Sequence, residues 1–237
     1  MAARPDGHGG KEASEYVAKH LPKILHETLL EWHKTELTTD GIWNALKLTF
    51  VKINYNFQNY YHYIDPLIAK NVGTTATVVM MVDGHVWTAN VGDSRTILDN
   101  YGKPFQLSRD EKPGDPICQR LIANRSGSAF IDRHNEFRIH NMLSVGKSIG
   151  DATLKQANSA RPSITCMALS DIENESHIAL VSDGITARKT TKELVELLHI
   201  HRKQPLIAVA KGIALKVHHD INSHDNLTVM IIRIAKT

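Results

Sequence analysis

The stretch from Thr74 to Val91 limits what this chain can fold into more than any other. Thr74 to Val82 is β-branched and apolar, Asp83-Gly84 is a two-residue turn, and His85 to Val91 runs back in alternation, so the segment predicts a hairpin. Thr96 to Leu98, the Asn100-Tyr101-Gly102 turn and Pro104 to Leu107 extend it as a meander, and Ser163 to Leu169, Ile178 to Ser182 and Leu227 to Ile234 supply further strands. Strands joined by tight turns cannot be the parallel strands of a βαβ alternation. Antiparallel sheet is the expectation.

Helices bracket these strands. Ala13, Tyr16, Val17, Leu21, Ile24 and Leu25 recur at helical spacing, with Pro22 predicting a break or kink; Ile42, Leu46, Phe50, Ile53 and Phe57 share one face of a second helix that begins after Thr39-Asp40. Asp115-Pro116 reads as an N-cap followed by proline at the first helical position, and Thr190 with Glu193 as a capping box. Pro205 opens a last helix that carries Ile207, Ala210, Ile213, Ala214 and Val217, while Gln58 to Asn71 and Asn124 to Asn141 read as long loops. The fold class expected is α+β, antiparallel sheet covered by helices, in one domain over residues 1–237 with no repeat.

Composition excludes several kinds of function. Lys+Arg 28 against Asp+Glu 25 gives a formal charge of +3, too mild for a nucleic-acid partner. Cys118 and Cys166 have neither metal-ligand nor disulfide-framework spacing. The longest uncharged apolar run, Val72 to Val82, falls short of the roughly 20 residues of a membrane helix. Met1 to Pro5 is too short for a leader, so the expected location is cytoplasmic by default, or mitochondrial should a targeting segment precede Met1.

Four acidic sites then stand out. They are Asp6 in Asp6-Gly7-His8-Gly9-Gly10, Asp93 in Val91-Gly92-Asp93-Ser94-Arg95, Asp183 in Val181-Ser182-Asp183-Gly184, and Asp225 beside Asn226. Each alone is an ordinary turn signal, and Asp83-Gly84-His85 repeats the first three residues of the glycine motif inside the hairpin. Together they describe a carboxylate cage for a hard divalent cation with His8 at its mouth.

These motifs, with Gly73-Thr74-Thr75-Ala76, Ala89-Asn90 ahead of Val91, and Ser148-Ile149-Gly150-Asp151, occur in an order that resembles the metal-dependent protein phosphatase family, the protein phosphatase 2C type, over essentially the whole chain. The resemblance implies two antiparallel sheets stacked as a β-sandwich and flanked by helices on both faces, a four-layer αββα arrangement. It implies a pair of Mg2+ or Mn2+ ions, with Asp6 bridging both, the Gly7 carbonyl binding one, and Asp183 with Asp225 holding the other. Asp93 would belong to a third, weaker position shared with Asp183. The implied reaction is hydrolysis of a phosphoserine or phosphothreonine protein by a metal-activated water, with His8 as the general acid that protonates the leaving alkoxide, in a monomer.

The chain also departs from that pattern. The family carries an arginine and a Glu-Asp pair on two strands ahead of the glycine motif; here Met1-Ala2-Ala3-Arg4-Pro5 stands there, so the domain is read as N-terminally incomplete, lacking the first strands. Gly146-Lys147 occupies a place where the family often has serine and arginine, and Ala187 one often filled by a further third-site aspartate. Two readings follow: a shortened phosphatase, or a catalytically dead phosphatase-like module that acts as a protein-binding or regulatory subunit.

Overall fold

The computed structural model describes residues 2–32, 38–133, 135–221 and 225–235, and the side chains of these except 2–6 and 220–221. The chain forms two compact units. The first comprises residues 1–79, 89–93 and 110–164, the second residues 80–88, 94–109 and 165–237.

The first unit opens with a correction. Ala2–His8, read as lacking the strand that should lead into the glycine motif, is a strand, β1. After the helices α1 (Glu12–Trp32), α2 (Thr39–Ile64) and α3 (Pro66–Asn71) comes β2 (Gly73–Val82), and β1 pairs antiparallel with it: Asp6 stands opposite Thr75, Gly7 opposite Thr74 and His8 opposite Gly73. Backbone pairing asks little of side chains, and Pro5, which has no amide hydrogen to donate, is tolerated because β1 ends the strand order.

Pro22 does not break α1. Ala13, Val17, Leu21 and Leu25 form an i, i+4 series that is buried throughout, so the apolar stripe continues across the proline. Burying two leucines contributes about 3–6 kcal/mol, enough to offset the ~3 kcal/mol that an internal proline costs. The loop expected from Gln58 to Asn71 is likewise helical. Tyr16 packs against Phe57 with ring centroids 5.6 Å apart, and Phe57 against Tyr61 at 5.0 Å, so the far end of α2 is held by aromatic contact with α1. Asp65 separates α2 from α3: its amide donates to the Tyr61 carbonyl at 2.9 Å and its carboxylate accepts from the Leu67 amide at 3.0 Å.

β3 (His85–Val91) completes the predicted hairpin, with Asp83 and Gly84 at φ 50° and 65° in the turn, as such two-residue loops require. The meander does not continue in the same sheet. β4 (Arg95–Asn100) and β5 (Lys103–Gln106) pair with each other but belong to a second sheet, because Gly92, at φ 107°, turns the chain out of the first ladder.

α4 (Pro116–Ala123) starts at Asp115, whose side chain accepts from the amides of Ile117 and Cys118. The loop expected beyond it holds a hairpin, β6 (Ala129–Ile131) with β7 (Phe137–Ile139), pinned by Arg138 donating to Asp132 at 2.7 Å. The short β8 (Ile149–Gly150) pairs with Gly73 and Thr74 of β2, and β9 (Ser163–Ala168) completes the first sheet in the order β1-β2-β3-β9.

The second unit is built on a four-stranded sheet. β10 (Ser176–Val181) lies between β4 and β11 (Val229–Ile234), antiparallel to both, in the order β11-β10-β4-β5. Ile97, Ala179 and Val181 pack against Leu194 and Leu198 of α6 (Thr191–Ile200) and Val209, Ile213 and Val217 of α7 (Leu206–Ile221); the one-turn α5 (Asp183–Thr186) precedes them. Thr190 and Glu193 form the capping box as read. The α+β class with antiparallel sheets is therefore as expected, and no helix among the described residues is long and apolar enough to cross a membrane.

Candidate catalytic centre

His8 ends β1 and Asp151 follows β8, and both strands pair with the start of β2. Register alone thus brings them together: His8 Nε2 lies 2.7 Å from Asp151 Oδ2. A carboxylate can only accept, so Nε2 carries the hydrogen and Nδ1 is the nitrogen available for a second proton. Asp151 is buried and held by its own chain of bonds, with the Ser148 hydroxyl donating to Oδ2 and the Asn158 amide donating to that hydroxyl at 2.5 Å. Gly73 makes the approach possible, because a Cβ there would overlap the Asp151 carboxylate and stand 2.5 Å from His8 Nε2. Half-buried Lys155 donates to the Ser148 carbonyl at 2.8 Å; burial pulls its pKa down to about 8, against the opposing pull of Asp151, and the nearby Arg125 lowers it further.

A cavity of about 280 Å3 adjoins this pair and is lined by His8, Asp151, Lys70, Asn71 and Arg138, among others. Arg138 is neutralised there by Asp132 and Glu136. Lys70 is exposed and has no acidic partner among the described residues, which makes it the cation free to meet an anion in this cavity.

Asp93 is buried in the turn after β3, and that turn is tied down from three directions. Thr77 donates to Asn90 Oδ1 at 2.6 Å, Asn90 donates on to the Gly92 carbonyl at 2.8 Å, and the Gly92 amide donates to Glu111 Oε2 at 3.1 Å. A Cβ on Gly92 would overlap Thr75, the residue paired with Asp6. Glu111 is fully buried, accepts from the Ser163 hydroxyl and meets Lys147 Nζ at 2.5 Å. Burial pushes its carboxyl pKa up, while Lys147, Ser163 and the Gly92 amide pull the other way. The Gly146-Lys147 departure thus has a structural reason: Lys147 is the counter-ion of Glu111, and Gly146 fits where a Cβ would press on the Glu111 carbonyl.

In the second unit, Asp183 opens α5, and Asp225 precedes the last strand. Ser182 clips their segments together, donating to the Asn226 carbonyl at 3.0 Å and accepting from the Thr228 amide at 3.1 Å. Gly184 packs closely against the segment of Asp225: a Cβ there would lie 2.9 Å from the Asn226 carbonyl and 3.4 Å from Asp225 Cβ. Asp183 Oδ1 accepts from the Gly184 amide and Asp225 Oδ1 from the Asn226 amide, each at 2.8 Å, which orients both carboxylates.

The donors predicted for a cation are therefore distributed as follows. Asp183 and Asp225 lie on adjacent segments; Asp93 is buried next to Gly92, which rests on Thr75; Gly7 lies in β1; the Asp6 backbone pairs with Thr75, and its side chain lies outside the described residues. Among the described residues no three His, Cys, Asp or Glu side chains converge on one point. The donor chemistry, carboxylate and carbonyl oxygen without thiolate, is nonetheless that of Mg2+ or Mn2+ rather than zinc. In the sequence Asp151 stands within the Ser148-Ile149-Gly150-Asp151 motif without a role of its own, and nothing in the spacing around Glu111 or Lys70 marks either residue.

Comparison with known proteins gives the same family as the motifs. The protein phosphatase 2C family profile matches residues 2–224. Protein phosphatase 1L of Bos taurus is 30% identical over 238 residues, a match that covers 98% of this chain and 63% of the relative. Among solved structures, a Caenorhabditis elegans sex-determining protein superposes with TM-score 0.82 at 23% identity, covering 98% of this chain and 55% of that one. A serine-threonine phosphatase 2C from Toxoplasma gondii superposes with TM-score 0.78 at 17% identity, covering 98% and 83%. The chain thus spans less than two thirds of the length of that bovine relative. With a family match over nearly its entire length and the fold of solved members, it belongs to the protein phosphatase 2C family.

Proposed function

We propose that the chain carries the core of a Mg2+- or Mn2+-dependent phosphatase acting on phosphoserine and phosphothreonine proteins, with His8 as general acid. The observation that carries this reading is the His8–Asp151 pair at 2.7 Å beside a cavity that holds an unpaired lysine. Asp6, the Gly7 carbonyl, Asp183 and Asp225 would hold the cations, with Asp93 at a third, weaker position. Bound Mg2+ or Mn2+ would acidify a water and offset phosphate charge.

The chain's own residues do the rest. Asp151 fixes the imidazole through Nε2–H, which leaves Nδ1 to carry the proton for a serine or threonine alkoxide, a leaving group too basic to depart unassisted. Lys70 draws the substrate phosphate towards the cavity. Gly73 and Gly92 contribute by having no side chain where His8, Asp151 and the Asp93 turn close up.

A second reading, a non-catalytic module that binds a partner protein, is favoured by Lys147 being committed to Glu111 and so withdrawn from any phosphate, and by Ala187 at a place where an acidic ligand is usual. Hydrolysis of a phosphoserine peptide with Mn2+, together with Mn2+ calorimetry, separates the two. The phosphatase reading requires saturable Mn2+ binding and turnover that Asp183→Asn abolishes. Turnover unaltered by Asp183→Asn refutes the metal assignment, and no turnover at all leaves the binding module.

A further inference from the structure

Helix α2 shows one face to the core and another to a groove. Ile42, Leu46, Phe50 and Ile53 are buried, whereas Asn44, Lys47, Leu48 and Val51, spaced i, i+3, i+4 and i+7, line the groove, with Val51 43% exposed. Leu121 of α4 and Arg125, in the turn that follows it, also line the groove, together with Ala157, Pro162 and Trp32, the last residue of α1. The cavity measures about 690 Å3, within the range of sites that enclose small organic ligands.

Its electrostatics are one-sided. Lys47, Arg125, Lys147 and Arg161 all line it, and among the described residues no carboxylate does. Lys147 is balanced by Glu111, and Arg125 donates to the neutral Asn158 carbonyl at 2.8 Å and has no acidic partner among the described residues. The Lys47 ammonium sits 5.3 Å over the Trp43 ring, and Arg161 has no acidic partner among the described residues. Cations gathered at a concave, low-dielectric wall concentrate anions, while Leu48, Val51, Leu121 and Trp32 gain only by covering apolar surface. One ligand satisfies both demands if it joins a single anionic head to an apolar body.

We propose that this groove binds a small apolar carboxylate of the fatty-acid type, its chain along Leu48, Val51 and Leu121 and its head drawn to Lys47 and Arg161. The site is independent of the phosphatase chemistry and needs no metal ion.

The test is calorimetric titration of the whole chain with decanoate at low salt, with a chelator present so that metal binding plays no part. One saturable site per chain is expected. Lys47→Glu with Arg161→Glu should weaken it by about tenfold or more, since two exposed attractions become repulsions. Lys47→Gln with Arg161→Gln should fall in between, and both pairs change exposed positions, so their thermal melts should match the parent. Decanol, the same body without the charge, should bind about tenfold more weakly than decanoate. The proposal is overturned by absence of saturable decanoate binding, by equal binding of decanol, by charge variants that bind as the parent does, or by a site that accepts an acidic peptide but not decanoate.

Discussion

The His8 imidazole and the Asp151 carboxylate, 143 positions apart in sequence, meet at 2.7 Å because β1 and β8 both pair with the first residues of β2. The meeting point lies over Gly73, where no side chain fits.

Gly73→Ala should therefore damage the centre without touching either partner. The new methyl group must push His8 or Asp151 aside, at a cost of about 1–3 kcal/mol of stability. A displacement near 1 Å at a catalytic group lowers turnover by about 10²-fold. A variant with parental melting temperature and parental kcat would show that the pair is not needed as placed.

If His8 protonates the leaving group, its importance depends on what leaves. His8→Ala should slow a phosphoserine peptide by about 10²–10⁴-fold, whereas p-nitrophenyl phosphate, whose phenolate departs unprotonated, should be affected far less. Equal losses on both substrates would assign His8 to binding or folding instead.

Glu111→Gln leaves the Lys147 ammonium buried without its counter-charge. Removing one partner of a buried pair typically costs 3–5 kcal/mol, so a loss of about 3 kcal/mol is expected in urea unfolding. Adding Lys147→Met should restore much of it, because an apolar side chain of similar length has no charge to desolvate. A double variant no more stable than the single one would count against the pairing.

Lys155 makes stability depend on alkaline pH. Its pKa is about 8 in the folded chain against 10.5 for the ordinary side chain, so between these values the unfolded chain holds a proton that the folded chain has released. Stability attributable to Lys155 should rise with pH across that window, by about 1–3 kcal/mol, and be flat below it. The difference between wild-type and Lys155→Met melts isolates the effect; a difference that falls with pH would contradict it.

What the sequence shows of this molecule is what neighbouring residues decide. The Asp83-Gly84 hairpin, the Asp115 cap and the Thr190–Glu193 box are written within a few positions and fold as read. Pro22 misleads because its local cost is outweighed by Leu21 and Leu25, whose burial exists only once α1 meets its neighbours. Gln58 to Asn71 misleads in the same way, since Tyr61 gains its helix-holding contacts from Phe57 and, across to α1, Tyr16. β1 is illegible because strand pairing is a backbone event and its side chains carry little signal. In the candidate centre, His8, Asp183 and Asp225 are marked by their motifs, but Asp151 and Glu111 act through partners far along the chain, and no spacing rule reveals such pairs.

The turn that carries Asp93 is keyed to the strand beneath it. Gly92 rests on Thr75 with no room for a methyl group, while Asn90 grips Thr77 and Gly92 together. Anyone grafting this acidic loop onto another scaffold must transplant its footing too, and in drifting lineages position 92 should stay glycine even where position 75 shrinks, because its φ of 107° disfavours any side chain whatever the space.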